Sequence, residues 1–229
     1  LKKILRKCKF FFKNYAQLAC EFLMKRKITV LFGGTFDPVH LGHTTVAAAT
    51  IEKLGADKLV FIPAKRSPLK KSSPRANDKH RIKMISLALE GNPKFESSDY
   101  ELNGPAPSYT LDTVRHFQNE YGHDTILYWL VGADSIAELS HWYGICELVD
   151  SCNLSVMLRA GCDAPDFTCL LESLGPERVE KLQNNVVETP LIDISSTEIR
   201  RRLANGQDAG EMLCPAVAEY IKKHNLYSS

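Results

Sequence analysis

No apolar run in this chain reaches the roughly 20 residues that a bilayer-crossing helix requires, because a Lys, Arg, Asp or Glu interrupts every candidate stretch. The reading is therefore of a chain without a helical membrane span. The seven cysteines are odd in number and include no CxxC pair or zinc-finger spacing, so they form neither a balanced disulfide framework nor a metal-binding set. Reduced thiols in a cytoplasmic protein are the expectation. A GxxxxGK[ST] phosphate loop and a GxGxxG dinucleotide fingerprint are both missing.

What is present is ordinary globular usage. The 229 residues are 44% hydrophobic and 24% charged, which excludes disorder, collagen and a disulfide miniprotein. The net charge of +2 conceals an asymmetry. Residues 1–27 hold nine Lys or Arg against one acid, Glu21, whereas the remainder carries 20 basic and 26 acidic residues, a net −6. An acidic body repels a phosphate backbone, so nucleic acid is not the expected partner.

In the basic segment Ile4, Cys8, Phe11, Tyr15, Leu18 and Phe22 step by fours and threes, the spacing of an amphipathic helix. It lacks the compact apolar stretch and small-residue cleavage site of a secretory signal. The expected organisation is an appendage over residues 1–23 and one domain over 24–229, with Met24 just ahead of the first strand. A chain starting at Met24 is expected to fold and to retain activity.

Beyond Lys27 short apolar runs alternate with helical patterns. Strands are expected at Ile28–Phe32, Leu59–Ile62, Ile126–Val131, Leu154–Leu158 and within Val186–Ile194, and an extended segment at Phe95–Leu102. Helices are expected at Leu41–Leu54, Asp78–Leu89, Leu111–Glu120, 144–150, Ser196–Asn205 and Pro215–His224. Such alternation predicts an α/β fold with a doubly wound parallel sheet and a small helical part at the C-terminus. Ligands of such sheets lie beyond the carboxyl ends of the strands, which directs attention to strand-to-loop junctions.

Two junctions carry chemistry. The first strand runs into Gly33-Gly34-Thr35-Phe36-Asp37-Pro38-Val39-His40-Leu41-Gly42-His43. Paired glycines permit close approach of a phosphate, and the following helix offers free N–H groups and a partial positive charge. His40 and His43 are three apart, so on a starting helical turn both imidazoles project to one side, and Pro38 stiffens the turn that presents them. Zinc competes for two histidines, but no third ligand lies nearby in sequence. The second junction is Ile194-Ser195-Ser196-Thr197-Glu198-Ile199-Arg200. Ser195 and Glu198 fit a capping box. Ser196, Thr197 and Arg200 share a side through their three and four spacings and form a hydroxyl and guanidinium cradle for phosphate.

Together these segments resemble the HxGH nucleotidyltransferases and, among them, the nicotinate-nucleotide adenylyltransferases. The resemblance runs from about Lys27 to Tyr227. It also rests on Ser108-Tyr109-Thr110 with Asp112-Thr113, Gly132-Ala133-Asp134-Ser135 with Trp142, Arg159 before Gly161, and Tyr220-Ile221. It implies a Rossmann-like nucleotidyltransferase fold and transfer of AMP from ATP to nicotinate mononucleotide, giving deamido-NAD and pyrophosphate in NAD biosynthesis. His40, His43, Lys70 and Arg200 are the implied catalytic residues. Gly33, Gly34, Thr35, Phe36, Gly132, Asp134, Ser196 and Thr197 are implied to bind ATP, and Tyr109, Thr110, Trp142, Tyr143 and Arg159 the mononucleotide. Mg²⁺ is implied on the ATP phosphates, without direct protein ligands.

One departure stands out. The family usually has Pro-His-Lys where this chain reads Pro68-Leu69-Lys70, so the lysine is kept and the imidazole at 69 is lost. Other readings stay open on sequence alone: a pantetheine-phosphate or amide-mononucleotide adenylyltransferase, a cytidylyltransferase, or a nucleotide sensor that docks through its basic helix. A homo-oligomer is also left open.

Overall fold

A computed structural model of the chain describes residues 26–68, 72–122, 124–159, 163 and 165–228, with the main chain alone at Arg159. The basic appendage expected over residues 1–23 lies outside the described residues.

The central strand β1 (Lys27–Gly34) is followed by helix α1 (Leu41–Leu54), strand β2 (Lys58–Pro63), helix α2 (Asp78–Leu89) and a short strand β3 (Phe95–Ser97). Helices α3 (Tyr100–Asn103) and α4 (Thr110–Tyr121) lead to strand β4 (Thr125–Gly132), a 3₁₀ segment (Ala133–His141), helix α5 (Ile145–Ser151) and strand β5 (Asn153–Arg159). A second 3₁₀ turn (Thr168–Leu170), helices α6 (Leu171–Leu174) and α7 (Pro176–Gln183), and strand β6 (Val186–Thr189) follow. Helix α8 (Ser196–Ala204), a 3₁₀ turn (Gly210–Met212) and helix α9 (Pro215–Lys223) close the described chain.

The six strands form one sheet in the order β3-β2-β1-β4-β5-β6, every pairing parallel. The chain therefore winds outward from β1 to β3 and then returns to the other side of β1 to lay down β4. That reversal makes the β1/β4 boundary a topological switch point, where a crevice opens beyond the strand ends.

The period-two alternation of strands distributes the core to both faces. Leu31, Val60, Ile62, Trp129 and Val131 enter one apolar cluster with residues of α4, α5 and α7. Val30, Phe32, Leu59, Phe61 and Leu130 enter the other with residues of α1, α2, α8 and α9. Local signals set the helix ends. The Asn77 side chain accepts from His80 N at 3.0 Å to start α2, and Gly55 terminates α1 with φ 60°, a left-handed conformation that costs glycine little.

The expected extended segment Phe95–Leu102 divides instead: β3 stops at Ser97, the Ser98 hydroxyl accepts from Tyr100 N at 3.2 Å, and α3 begins. Glu101 then turns inward, where it accepts a hydrogen bond from the Thr113 hydroxyl at 2.6 Å. Burial raises its pKa, against the opposing pull of hydrogen bonds from Thr113 and Ser108.

Candidate active site

The site begins where β1 ends. A Cβ on Gly33 would lie 2.3 Å from the Trp129 ring, and one on Gly34 would lie 2.8 Å from the Phe36 ring. The paired glycines, read from sequence as room for a phosphate, are thus required first by the rings packed beside them. Phe36 is only 2% exposed, and its ring packs against Phe32, Phe61 and His43 at centroid distances of 5.4, 5.5 and 4.9 Å. Its side chain packs on the His43 ring and does not line the cleft, so any contact of Phe36 with a nucleotide falls to its main chain. With φ 46° it holds a backbone conformation that non-glycine residues rarely adopt, the kind of local strain that surrounding packing must sustain.

His40 is the N-cap of α1 and His43 lies in its first turn. The two imidazoles stack, with centroids 3.7 Å apart and planes inclined at 25°. The His40 main-chain N–H donates to Nδ1 of His43 at 3.2 Å, which fixes the second ring relative to the first. His40 is 7% exposed, and burial lowers its pKa to about 4, so the imidazole is neutral at physiological pH. Its Nδ1 is buried without a hydrogen-bond partner among the described residues. The glycine between the histidines has a steric reason: a Cβ on Gly42 would lie 3.0 Å from His40 Nδ1.

From the far end of the chain α8 docks onto this loop. Ser195 caps the helix by accepting from Glu198 N at 3.2 Å. The Ser196 hydroxyl donates to the Pro38 carbonyl at 2.9 Å, and Arg200 Nη1 donates to the Asp37 carbonyl at 2.6 Å. Arg200 Nη2 also reaches the Thr197 hydroxyl at 3.2 Å. Arg201 and Arg202 instead pair with Glu198, which they hold at a pKa of about 2. The Asp37 carboxylate is buried and accepts from Arg75 N (2.7 Å), Ala76 N (3.0 Å) and the Tyr227 hydroxyl (2.7 Å).

These parts border one cleft of about 1050 Å³ at the strand-order reversal. Thr35, His40, His43, Gly132, Asp134, Ser196, Thr197 and Arg200 all line it. Gly132 and Asp134 sit at the end of β4, where a Cβ on the glycine would lie 2.3 Å from the Asp134 carboxylate. Ser72 to Arg75 also border it, and Met157, Leu158, Pro190 and Ile192 supply apolar surface.

The expected mononucleotide residues gather elsewhere. Tyr109 and Thr110 stand at the start of α4, and the Tyr109 and Tyr143 rings lie 4.8 Å apart at 41°. Trp142 packs against the core with its Nε1 buried and unpartnered among the described residues. None of the four lines the main cleft. The Arg159 main chain pairs with Thr189 at a cleft wall, and Lys70 lies outside the described residues.

Three residues of the site escaped the sequence reading. Asp37 and Gly42 were visible inside the motif, but their work depends on Tyr227 and on the His40 ring. Arg81 is fully buried and donates from Nη1 to the carbonyls of Thr35 (2.8 Å) and Ala64 (2.7 Å), bracing the ends of β1 and β2. Its Nη2 pairs with Asp78 at 2.6 Å. In the sequence nothing distinguishes it from its neighbours Lys79 and Lys83.

A parallel sheet whose switch point opens on two imidazoles, a guanidinium and the starts of two helices offers an anionic ligand donors from both halves of the chain, and the class so defined is the nucleotidyltransferases. The profile of the cytidylyltransferase-like family matches residues 31–202. The probable nicotinate-nucleotide adenylyltransferase of Pectobacterium atrosepticum is 36% identical over 210 residues, which span 87% of this chain and 98% of that protein. Its namesake from a Thermoanaerobacter species is 37% identical over 208 residues, 89% of this chain and 96% of the relative. The chain belongs to the cytidylyltransferase-like family and, within it, to the nicotinate-nucleotide adenylyltransferases. The fold is also that of Plasmodium falciparum nicotinic acid mononucleotide adenylyltransferase complexed with NaAD (TM-score 0.67, 20% identity, covering 88% of this chain and 97% of that one).

Proposed function

We propose that this cleft transfers AMP from ATP to the 5′-phosphate of nicotinate mononucleotide, releasing pyrophosphate and giving deamido-NAD, a step of NAD biosynthesis. The observation that carries the reading is the convergence of the stacked His40 and His43 with Ser196, Thr197 and Arg200 in one cleft, tied together by the bonds from Ser196 to Pro38 and from Arg200 to Asp37.

The chemistry needs no activated side-chain nucleophile. A phosphate oxygen of the mononucleotide is already anionic at neutral pH. It attacks the α-phosphorus of ATP, a new O–P bond forms, and the bond from the α-phosphorus to the bridging oxygen breaks with its electron pair leaving on pyrophosphate. Catalysis then reduces to alignment and stabilisation of developing charge. His40 and His43 contact the triphosphate near the reacting phosphorus, with His40 acting as a neutral hydrogen-bonding group. Arg200, Ser196 and Thr197 hold the β and γ phosphates of the leaving group. Asp134 accepts from a ribose hydroxyl or orients the nucleotide.

Trp142, Tyr109, Thr110 and Tyr143 receive the nicotinate ring, a role supported by the unpartnered Trp142 Nε1. Arg159 meets the mononucleotide phosphate, and Lys70 contributes a further cation to the phosphates. Among the described residues no three His, Cys, Asp or Glu stand together as a metal site. Mg²⁺ enters as the counter-ion of the ATP substrate, on the phosphate oxygens. ATP and both pyridine nucleotides are metabolites of the cytoplasm, where we place the reaction.

The test is a panel of mononucleotides and triphosphates scored by pyrophosphate release. Release with ATP and nicotinate mononucleotide, reduced by His43→Ala, is expected. Equal or greater use of nicotinamide mononucleotide contradicts the substrate assignment, and no release with binding intact points to a sensor.

A further inference from the structure

The Asp37 carboxylate is one of the least exposed charged groups on the cleft, and the Arg200 guanidinium lies close by. Arg200 Nη1 is nevertheless 4.0 Å from Asp37 Oδ2 while it donates to the Asp37 main-chain carbonyl at 2.6 Å. A guanidinium ordinarily prefers a bidentate grip on a carboxylate. Here the carboxylate is already occupied. Oδ2 accepts from Arg75 N, and Oδ1 accepts from Ala76 N and from the Tyr227 hydroxyl at 2.7 Å.

Tyr227 is held for this contact. Its ring is 8% exposed in the core cluster beneath α9, and both Asn225 and Tyr227 adopt positive φ (49° and 64°), which folds the C-terminal residues back toward β1. Burial and the Asp37 charge raise the phenol pKa, so the hydroxyl keeps its proton and donates throughout the neutral range.

We propose that Tyr227 is a positioning residue for ATP: by occupying the Asp37 carboxylate its hydroxyl keeps the Arg200 guanidinium on the main-chain carbonyl and available to the triphosphate. Without the hydroxyl, Oδ1 loses its shortest donor, and a buried carboxylate short of partners recruits the nearest cation. Arg200 then turns into the Asp37 carboxylate and away from the phosphates. The proposal rests on the assignment of the cleft to ATP.

The test is a double-mutant cycle on the full chain, with ATP affinity measured by calorimetry in the absence of mononucleotide, so that no turnover is required. Tyr227→Phe keeps the ring and removes only the donor; it is expected to weaken ATP about tenfold, the scale of a hydrogen bond to a charged group. In an Arg200→Gln background the same change is expected to alter affinity by less than about twofold, because the cation to be captured is gone. Equal weakening in both backgrounds, or no weakening in either, overturns the proposal, and thermal midpoints of all four proteins identify a plain loss of stability. An unaltered chain that binds ATP yet forms no dinucleotide refutes the transfer reaction and leaves this cycle interpretable.

Discussion

Ser196 and Pro38 lie 158 residues apart in the chain, and the hydroxyl of the first donates to the carbonyl of the second at 2.9 Å. That bond and the neighbouring one from Arg200 to the Asp37 carbonyl close the α8 side of the cleft onto the histidine loop. A phosphate held at the start of α8 therefore shares its cleft with the two imidazoles.

Arg200→Lys tests the geometry of this closure. Lysine keeps the charge but cannot donate to the Asp37 carbonyl and the Thr197 hydroxyl from one planar group. We expect kcat/KM for ATP to fall by about 10–100-fold, from the loss of a hydrogen bond made by a charged group. Steady-state kinetics against ATP and against the mononucleotide should place the loss on the ATP side.

His43→Ala removes one proposed partner of the triphosphate, and with it the ring stacked on His40 and packed on Phe36. Loss of one preorganised donor commonly costs about 10²–10³ in rate. Single-turnover measurements should show that deficit in the chemical step, with the protein still folded by circular dichroism.

Gly42→Ala separates stability from activity. In a helix interior alanine is favoured over glycine by about 1 kcal/mol, but here the added Cβ would come within 3.0 Å of His40 Nδ1. The ring must shift, so the variant is expected to lose turnover with a thermal midpoint that changes little. A variant of normal activity would show that His40 is not held against Gly42.

His40 also predicts a dependence of stability on pH. Its folded pKa, near 4, lies below the unfolded value of about 6.5, so between these values the unfolded chain binds the additional proton. Stability attributable to this group is intact above about pH 6.5 and is lost as pH falls toward 4, by an amount on the order of 3 kcal/mol. Urea titrations across that range should show a shallower decline for His40→Gln than for the unaltered chain.

Arg81→Met is expected to be a folding variant first. It removes the Arg81 donor from the Thr35 and Ala64 carbonyls, and leaving the partly buried Ala64 carbonyl unsatisfied costs about 1–3 kcal/mol. Asp78 is half-exposed and regains water, so it adds little to that cost. A lowered urea midpoint is the expected result.

Much of this architecture is legible in the residues themselves. Leu41–Leu54 and Asp78–Leu89 have the bounds that their apolar spacing and flanking Gly55 and Asn77 signal. The strands lengthen beyond their apolar cores because parallel neighbours on both sides pair their ends: Gly34 pairs with Pro63, and Lys27 with Thr125. Segments decided by distant partners are not legible in this way. Phe95–Leu102 reads as one extended segment, yet Glu101 is drawn inward by Thr113. Helix α6 is a single turn of four residues, too short for any periodicity, and the eight-residue α7 that follows carried no expectation of its own. At the site, the histidine pair and the Ser196 to Arg200 cradle could be read from spacing. The reasons for Gly33 and Gly34 could not, because one of the rings that requires them, Trp129, comes from another strand. Asp37 likewise looks like a turn residue until Tyr227 folds back onto it.

The proposed transfer requires one triphosphate held jointly by the histidine loop and by α8. A crystal structure of the full chain with a non-hydrolysable ATP analogue and Mg²⁺ tests it most directly. Phosphate oxygens are expected within hydrogen-bonding distance of a His40 or His43 ring nitrogen on one side and of Arg200 on the other. A triphosphate bound with both imidazoles or the guanidinium out of reach would contradict it.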